Sequence, residues 1–275
     1  MRRVRVRGPD GIEQGVVEGD VVVTEAARRI DLLDPHTLAL PDPYELLVPV
    51  DAPEVWCAGV TYERSRDARV EESAVEDVYT LVYEAPRPEL FLKDAGGRRT
   101  VGPGEPIGIR DDSTWNVPEP EIGVVLGEHG AIAGLTIGND VSSRDIEGAN
   151  PLYLPQAKIY AGACAIGPAV YEPEHLDAPL RIHMRVLDET GRTRFEGDSF
   201  TANMRRSYTE LVEWLLIDNP VPAGSVLLTG TGLVPPDDFT LLPGHTVEIH
   251  VAEIGTLVNP VARAAELMER SLSHV

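Results

Sequence analysis

Cysteine is scarce in this chain of 275 residues, which holds only Cys57 and Cys164. Both lie in apolar surroundings, VWCAGV and GACAIG, and read as buried thiols. Two isolated cysteines exclude a disulfide framework and a zinc cluster. Positive charge is short as well: 24 Lys+Arg stand against 45 Asp+Glu, a formal net charge of -21. That balance excludes a nucleic-acid binder, which needs a basic footprint, and argues against docking on an anionic membrane. It fits a solubilising surface or a salty habitat, and composition does not choose between them. No apolar run approaches the ~20 residues of a membrane span. No apolar stretch follows the charged start MRRVRVRGPDGIEQG, as a secretory signal would require. The expectation is a cytoplasmic protein. The seven histidines are scattered, with no His-x-x-x-His pair, so zincin and Ser/His/Asp chemistry find no support. A P-loop is missing too.

Lysine is the most telling shortage. Only Lys93 and Lys158 occur, and every other basic residue counted in the charge is arginine. An ammonium can shift its pKa on burial and serve as a base, which a guanidinium cannot. Codon bias with two chance survivors is the alternative, and the count alone leaves both open.

Hydrophobic residues make up 43% of the chain, enough for one large domain with a small appendage. Val4 and Val6 alternate with arginines, and GVVEGDVVVT at 15–24 reads as a further strand or pair. A boundary at VDAP, 50–53, gives a small β-rich domain over 1–50 and a main domain over 51–275. Strands are expected at 54–60, 89–93, 121–126, 131–141, 225–229 and 246–251, and a hairpin at 181–187 with 193–196. Helices are expected over 62–83, with Val70, Ala74, Val78 and Leu81 in register, over 208–217, and over 260–272. The second carries a capping box from Ser207 to Glu210. Few, irregular helices among many strands exclude regular β–α alternation and predict a mainly β, α+β fold.

Four segments hold the residues suited to chemistry. Glu119 and Glu121 flank Pro120; two apart on a strand, they face one side, as oxygen ligands of Mg²⁺ or Ca²⁺ would. Among so many acids, a chance pair is the competing account. GNDVSSRD, 138–145, follows an apolar strand, so Asp140 suits a third carboxylate ligand, or Asp140 or Ser142 a helix cap. Lys158 reads as an active-site amine or a strand-edge charge. TGTG, 229–232, reads as an anion-holding nest of backbone N–H groups or a plain turn.

In order, these pieces resemble the fumarylacetoacetate hydrolase family over roughly 55–261. The motifs are GVTY (59–62), PELFLK (88–93) with VGPG (101–104), EPE (119–121), GNDVSSRD (138–145), Lys158, GP (167–168), TGTG (229–232), PG (243–244) and IG (254–255). The resemblance implies a mixed β-sandwich roll, commonly dimeric or higher, here a homodimer or homotetramer. It implies that Glu119, Glu121 and Asp140 bind a divalent metal, usually Mg²⁺, with Mn²⁺ or Ca²⁺ as alternatives. It makes Lys158 and Arg144 catalytic, and Thr231, Lys93 and Arg144 substrate-binding, toward a small-molecule 2-oxo acid.

One departure stands out. Where hydrolases and decarboxylases of the family follow Gly-x-Asn-Tyr with a histidine three residues on, this chain has Thr61 and Ser65. With no water-activating histidine, the segment 142–153 and the charged insert through Glu84 look like the family's sugar-acid dehydratases. The implied reaction is a metal-dependent conversion of 2-keto-3-deoxy-D-arabinonate or D-xylonate to 2,5-dioxopentanoate. Glu71, Glu72 or a water stand open as the group that protonates the leaving hydroxyl. An acylpyruvate hydrolase or oxaloacetate decarboxylase is the alternative enzyme, and an ion-binding β-domain the non-enzymatic one.

Overall fold

The computed structural model describes residues 1–72 and 76–272, and for 69–72, 76–78 and 269–272 the backbone alone. Strands dominate. The larger sheet runs in the order Arg29–Asp31, Val21–Thr24, Gly11–Glu18, Arg2–Gly8, Cys164–Tyr171, Ile132–Asp140, Pro120–Leu126, Val226–Leu228, Glu54–Gly59, Glu89–Ala95. Two short strands branch from its middle, Glu45–Leu46 on Arg2–Gly8 and Thr100–Val101 on Cys164–Tyr171. The smaller sheet runs Thr193–Phe200, Arg181–Leu187, Thr246–Val251, Gly255–Arg263, Ile107–Ile109. Most neighbours are antiparallel, but Val226–Leu228 runs parallel to Glu54–Gly59, and Gly255–Arg263 parallel to Ile107–Ile109. The expected mixed β-roll is therefore observed.

The main core lies between the sheets. Ile122, Val124, Leu135 and Ile137 of the larger sheet pack with Ile182, Met184, Val247, Ile249 and Leu257 of the smaller one. Helix Tyr208–Leu216 adds Leu211, Val212 and Leu215 to the same cluster. Its start agrees with the sequence, because the Ser207 hydroxyl accepts the Glu210 N–H at 3.1 Å. A second cluster, with Val55, Cys57, Val125, Cys164, Ile166 and Val226, covers the opposite face of the larger sheet. Strand Pro120–Leu126 is thus buried along its whole length, which explains its near-continuous apolar run.

The first fifty residues are tied into the larger sheet, since Arg2 and Arg3 pair with Tyr171 and Val170. Two expectations need correction. Residues 260–263 are not helical: they finish strand Gly255–Arg263, whose alternating pattern continues through Val261, and the helix is Ala264–Leu272. The segment 62–83 holds two helices, Glu63–Glu72 and Glu76–Glu84. Of its expected apolar face, Leu81 is 66% exposed and Tyr79 is buried instead, while Val70, Ala74 and Val78 lie outside the described side chains. Among the described residues, no helix is long and apolar enough to cross a membrane.

Both lysines are buried, so the described cationic surface is arginine facing a large excess of acid. Self-repulsion of that charge weakens the compact state and salt screens it. The melting temperature should rise when KCl is raised from about 0.05 M to 1 M. Each ~1 kcal/mol relieved is worth about 2–4 °C at this size. A flat or falling melting temperature in a thermal scan would refute the account.

Candidate active site

The antiparallel pairing of Pro120–Leu126 with Ile132–Asp140 builds the site. Pro120 faces Asn139, and Glu121 faces Gly138. Pro120 opens its strand, where a missing N–H costs no ladder bond. Glu119, one residue before it, is pinned from across the ladder. Its N–H donates to the Asn139 Oδ1 at 3.0 Å, and its carbonyl accepts the Asp140 N–H at 3.0 Å. Glu119, Glu121 and Asp140 therefore converge, each offering a carboxylate oxygen within 4.8 Å of the others. All three are buried.

Three buried cations face them. Lys158 ends helix Leu154–Lys158, and its Nζ donates to Glu119 Oε2 at 2.8 Å, Asp140 Oδ2 at 2.9 Å and Ser142 Oγ at 2.6 Å. Lys93 forms an ion pair with Asp140 Oδ1 and donates to the Val141 carbonyl at 3.0 Å. Arg144 donates from Nη2 to Glu119 Oε1 at 2.8 Å, and its Nε lies 3.8 Å from Glu147. The two lysines of the chain thus meet on one carboxylate. Lys93 has no exposed surface and does not line the cleft, whereas Lys158 does.

The turn TGTG holds a carboxyl oxygen through one backbone N–H, and that carboxyl is the protein's own. Gly230 donates its N–H to Glu121 Oε2 at 2.6 Å. Only glycine fits there: φ is +91°, and a Cβ would lie 2.1 Å from the Thr61 Oγ1. Thr231 is buried beside the cleft, its hydroxyl 3.2 Å from the Leu233 N–H. The capping account of Asp140 and Ser142 falls away. Helix Arg144–Ala149 is preceded by Ser143, which makes no side-chain cap bond, and Ser142 serves Lys158.

Besides the triad, Lys158 and Thr231, the cleft is lined by Ser65, Glu89, Phe91, Glu147 and Leu154. The sequence motifs single out Ser65 but pass over Glu89 and Glu147. Glu89 shares a strand face with Phe91 at two-residue spacing, and Glu147 stands one turn after Arg144. Both spacings were readable signals. The side chains of Glu71 and Glu72 lie outside the described residues.

Does this set suit a divalent cation? Burial pushes the Glu121 carboxyl well above the ordinary carboxylate range, and the charges of Asp140 and Glu119 push it further. Three crowded carboxylates of this kind are relieved by a hard cation with oxygen preference. The enclosed volume of about 20 Å³ accommodates an ion or one water. The residues fit the group.

A mixed β-roll with a buried carboxylate triad backed by lysine defines a class of metal-centred folds, and similarity to known proteins specifies which. The chain belongs to the fumarylacetoacetate hydrolase family: the family model described as fumarylacetoacetate (FAA) hydrolase C-terminal matches residues 54–262. It is 52% identical over 215 residues to a probable 2-keto-3-deoxyxylonate dehydratase of Haloferax volcanii, covering 78% of this chain and 74% of that one. It is 46% identical over 225 residues to a 2-dehydro-3-deoxy-D-arabinonate dehydratase of Saccharolobus solfataricus, covering 80% and 75%. A solved 2-keto-3-deoxy-D-arabinonate dehydratase, complexed with magnesium and 2,5-dioxopentanoate, superposes with a TM-score of 0.84 at 35% identity, over 96% of this chain and 99% of that one.

The raised Glu121 value has a definite consequence. Without metal, the folded chain keeps a proton that the unfolded chain releases, so stability present at low pH is lost as pH rises through the raised value. A bound cation displaces that proton, so metal affinity rises with pH. Thermal scans in EDTA should show stability declining from about pH 5 upward, with Mg²⁺ offsetting the decline. Mg²⁺ at ~100 times its Kd contributes about 2.7 kcal/mol. An equal Mg²⁺ effect at low and high pH would contradict this.

Proposed function

We propose that this chain is a metal-dependent hydro-lyase that dehydrates 2-keto-3-deoxy-D-arabinonate or 2-keto-3-deoxy-D-xylonate to 2,5-dioxopentanoate. The observation that carries the reading is the composition of the cleft. It combines the carboxylate triad with a lysine, and among the described residues no histidine lines it. Ser65 is buried at the cleft where a water-activating histidine would be expected. Elimination needs a base but no nucleophilic water. The identities to dehydratases of two organisms support the same reading.

On this reading, Glu119, Glu121 and Asp140 would hold Mg²⁺, which supplies Lewis acidity toward the oxygens of a 2-oxo acid. Lys158 takes a proton from C3. As described, it is a donor, with three N–H protons and carboxylates among its acceptors. It becomes a base once Glu119 and Asp140 engage their oxygens elsewhere. Thr231, which lines the cleft, holds the anionic end of the substrate; Arg144, expected there too, is buried and does not line the cleft, so its part is to brace Glu119. The C4 hydroxyl leaves with a proton as water, and proton shifts then turn C5 into the aldehyde. Lys93 has no exposed surface, so its part is to fix Asp140 rather than to touch substrate. The reading includes a cytoplasmic homodimer or homotetramer with a small N-terminal unit over 1–50.

Purified protein with Mg²⁺ and 2-keto-3-deoxy-D-arabinonate should release 2,5-dioxopentanoate, detectable by the aldehyde proton resonance that the substrate's ketone does not give. Cleavage of an acylpyruvate with no aldehyde from the sugar acid would refute the assignment. Lys158→Arg and Lys158→Met should each lower kcat by about 10²–10⁴-fold. Near-normal turnover in Lys158→Arg would remove the base role, since arginine keeps only the charge.

A further inference from the structure

We propose that Ser142 is a positioning residue that aims the amine of Lys158, an inference that rests on the base role proposed above. Among the described acceptors of the Lys158 Nζ, Ser142 Oγ stands at 2.6 Å, against 2.8 and 2.9 Å for two carboxylates. The other two, Glu119 Oε2 and Asp140 Oδ2, belong to the carboxylate triad. Among the described acceptors, Ser142 is the one that is not a member of the carboxylate triad.

Its hydrogen bonds are directional. A hydroxyl has one proton, and Ser142 donates it to the Asp140 carbonyl at 2.9 Å. Toward Lys158 it can only accept. One N–H of the lysine is therefore held at a fixed point, which sets where the nitrogen lone pair of the neutral amine points.

The peptide carrying Ser142 is itself immobilised. The Val141 carbonyl accepts from Lys93 Nζ at 3.0 Å and from the Tyr160 hydroxyl at 3.2 Å. The Val141 N–H donates to the Ala163 carbonyl at 3.0 Å, and Ser142 pairs with Val117. Ser142 has no exposed surface and does not line the cleft, so it acts through Lys158 and not on substrate. Proton abstraction depends steeply on the alignment of donor and acceptor, and a misplacement of about 1 Å costs on the order of 10²-fold.

The test is Ser142→Ala in the Mn²⁺- or Mg²⁺-loaded enzyme, with kcat, KM and calorimetric Mn²⁺ affinity measured together. The expected result is a kcat lowered by about 10–100-fold, with KM and the Mn²⁺ Kd within about threefold of wild type. An unchanged kcat overturns the proposal. So does a Mn²⁺ Kd that weakens in parallel with kcat, because the serine would then serve the Asp140 backbone and not the lysine. Should Ser142→Ala fail to fold, Ser142→Cys carries the same comparison, being close in size but a poor acceptor. Wild-type dehydration and its loss in Lys158→Met are measured alongside. Failure of either removes the underlying function or base reading, whereas normal kcat in Ser142→Ala with both intact removes this inference alone.

Discussion

Asp140 sits between two ammonium groups, Lys93 on one oxygen and Lys158 on the other. The cost of that arrangement governs its whole neighbourhood. Buried carboxylates at the centre of a sheet are tolerable only with counter-charge at contact distance or a retained proton; Lys93, Lys158 and Arg144 supply the charge to Glu119 and Asp140, while burial holds the Glu121 carboxyl well above the ordinary range. A buried pair of this kind adds little net stability compared with apolar side chains of the same size. Taking away one member, however, leaves a bare buried charge at a cost of about 3–5 kcal/mol. The cluster is therefore held for its chemistry and defended by its interdependence.

The fold meets that demand with short-range devices. The register that sets Glu121 against Gly138 leaves no side chain opposite the carboxylate. A Cβ at Gly138 would lie 2.3 Å from the Leu228 Cδ2, a side chain from two strands away that reaches into the space the glycine leaves open. The Gly230 N–H then holds one oxygen of Glu121, a bond that needs no mobile side chain. Asn139 performs the same service for the main chain of Glu119. A backbone N–H thus fixes Glu121, the side chains of Lys93, Lys158 and Arg144 fix Glu119 and Asp140, and Lys158 is held in turn by its acceptors.

Much of this was legible in the sequence, for physical reasons. Alternation at Thr246–Val251 and the apolar run after Pro120 identified strands because burial enforces those patterns. Glu119 with Glu121 was readable because two-residue spacing places side chains on one face. The scarcity of lysine pointed to Lys93 and Lys158 before any geometry did. Other features were hidden because they depend on contacts distant in sequence. Nothing local says that Lys93 reaches Asp140, or that the turn at Gly230 would receive Glu121, residues separated by 47 and 109 positions in the chain. Residues 260–263 misled because an alternating strand running straight into an amphipathic helix shares apolar positions with it.

The departure at Ser65 separates what the cluster does from what the surrounding cleft decides. The charged machinery is gathered around the triad, whereas Ser65, Phe91 and Leu154 line the cleft around it without charge. Loss of a proton next to a 2-oxo group requires stabilisation at the oxygens and a base beside them, and on the proposed reading the triad with Lys158 meets that requirement. The fate of the resulting electron pair then depends on the group at position 65, which also lines the cleft. A histidine there would prepare water for attack on a carbon–carbon bond; a serine prepares none, and the electron pair left at C3 expels the C4 hydroxyl. On the proposed reading, one charge cluster serves the first step, and a single change at the start of helix Glu63–Glu72 steers the second toward elimination.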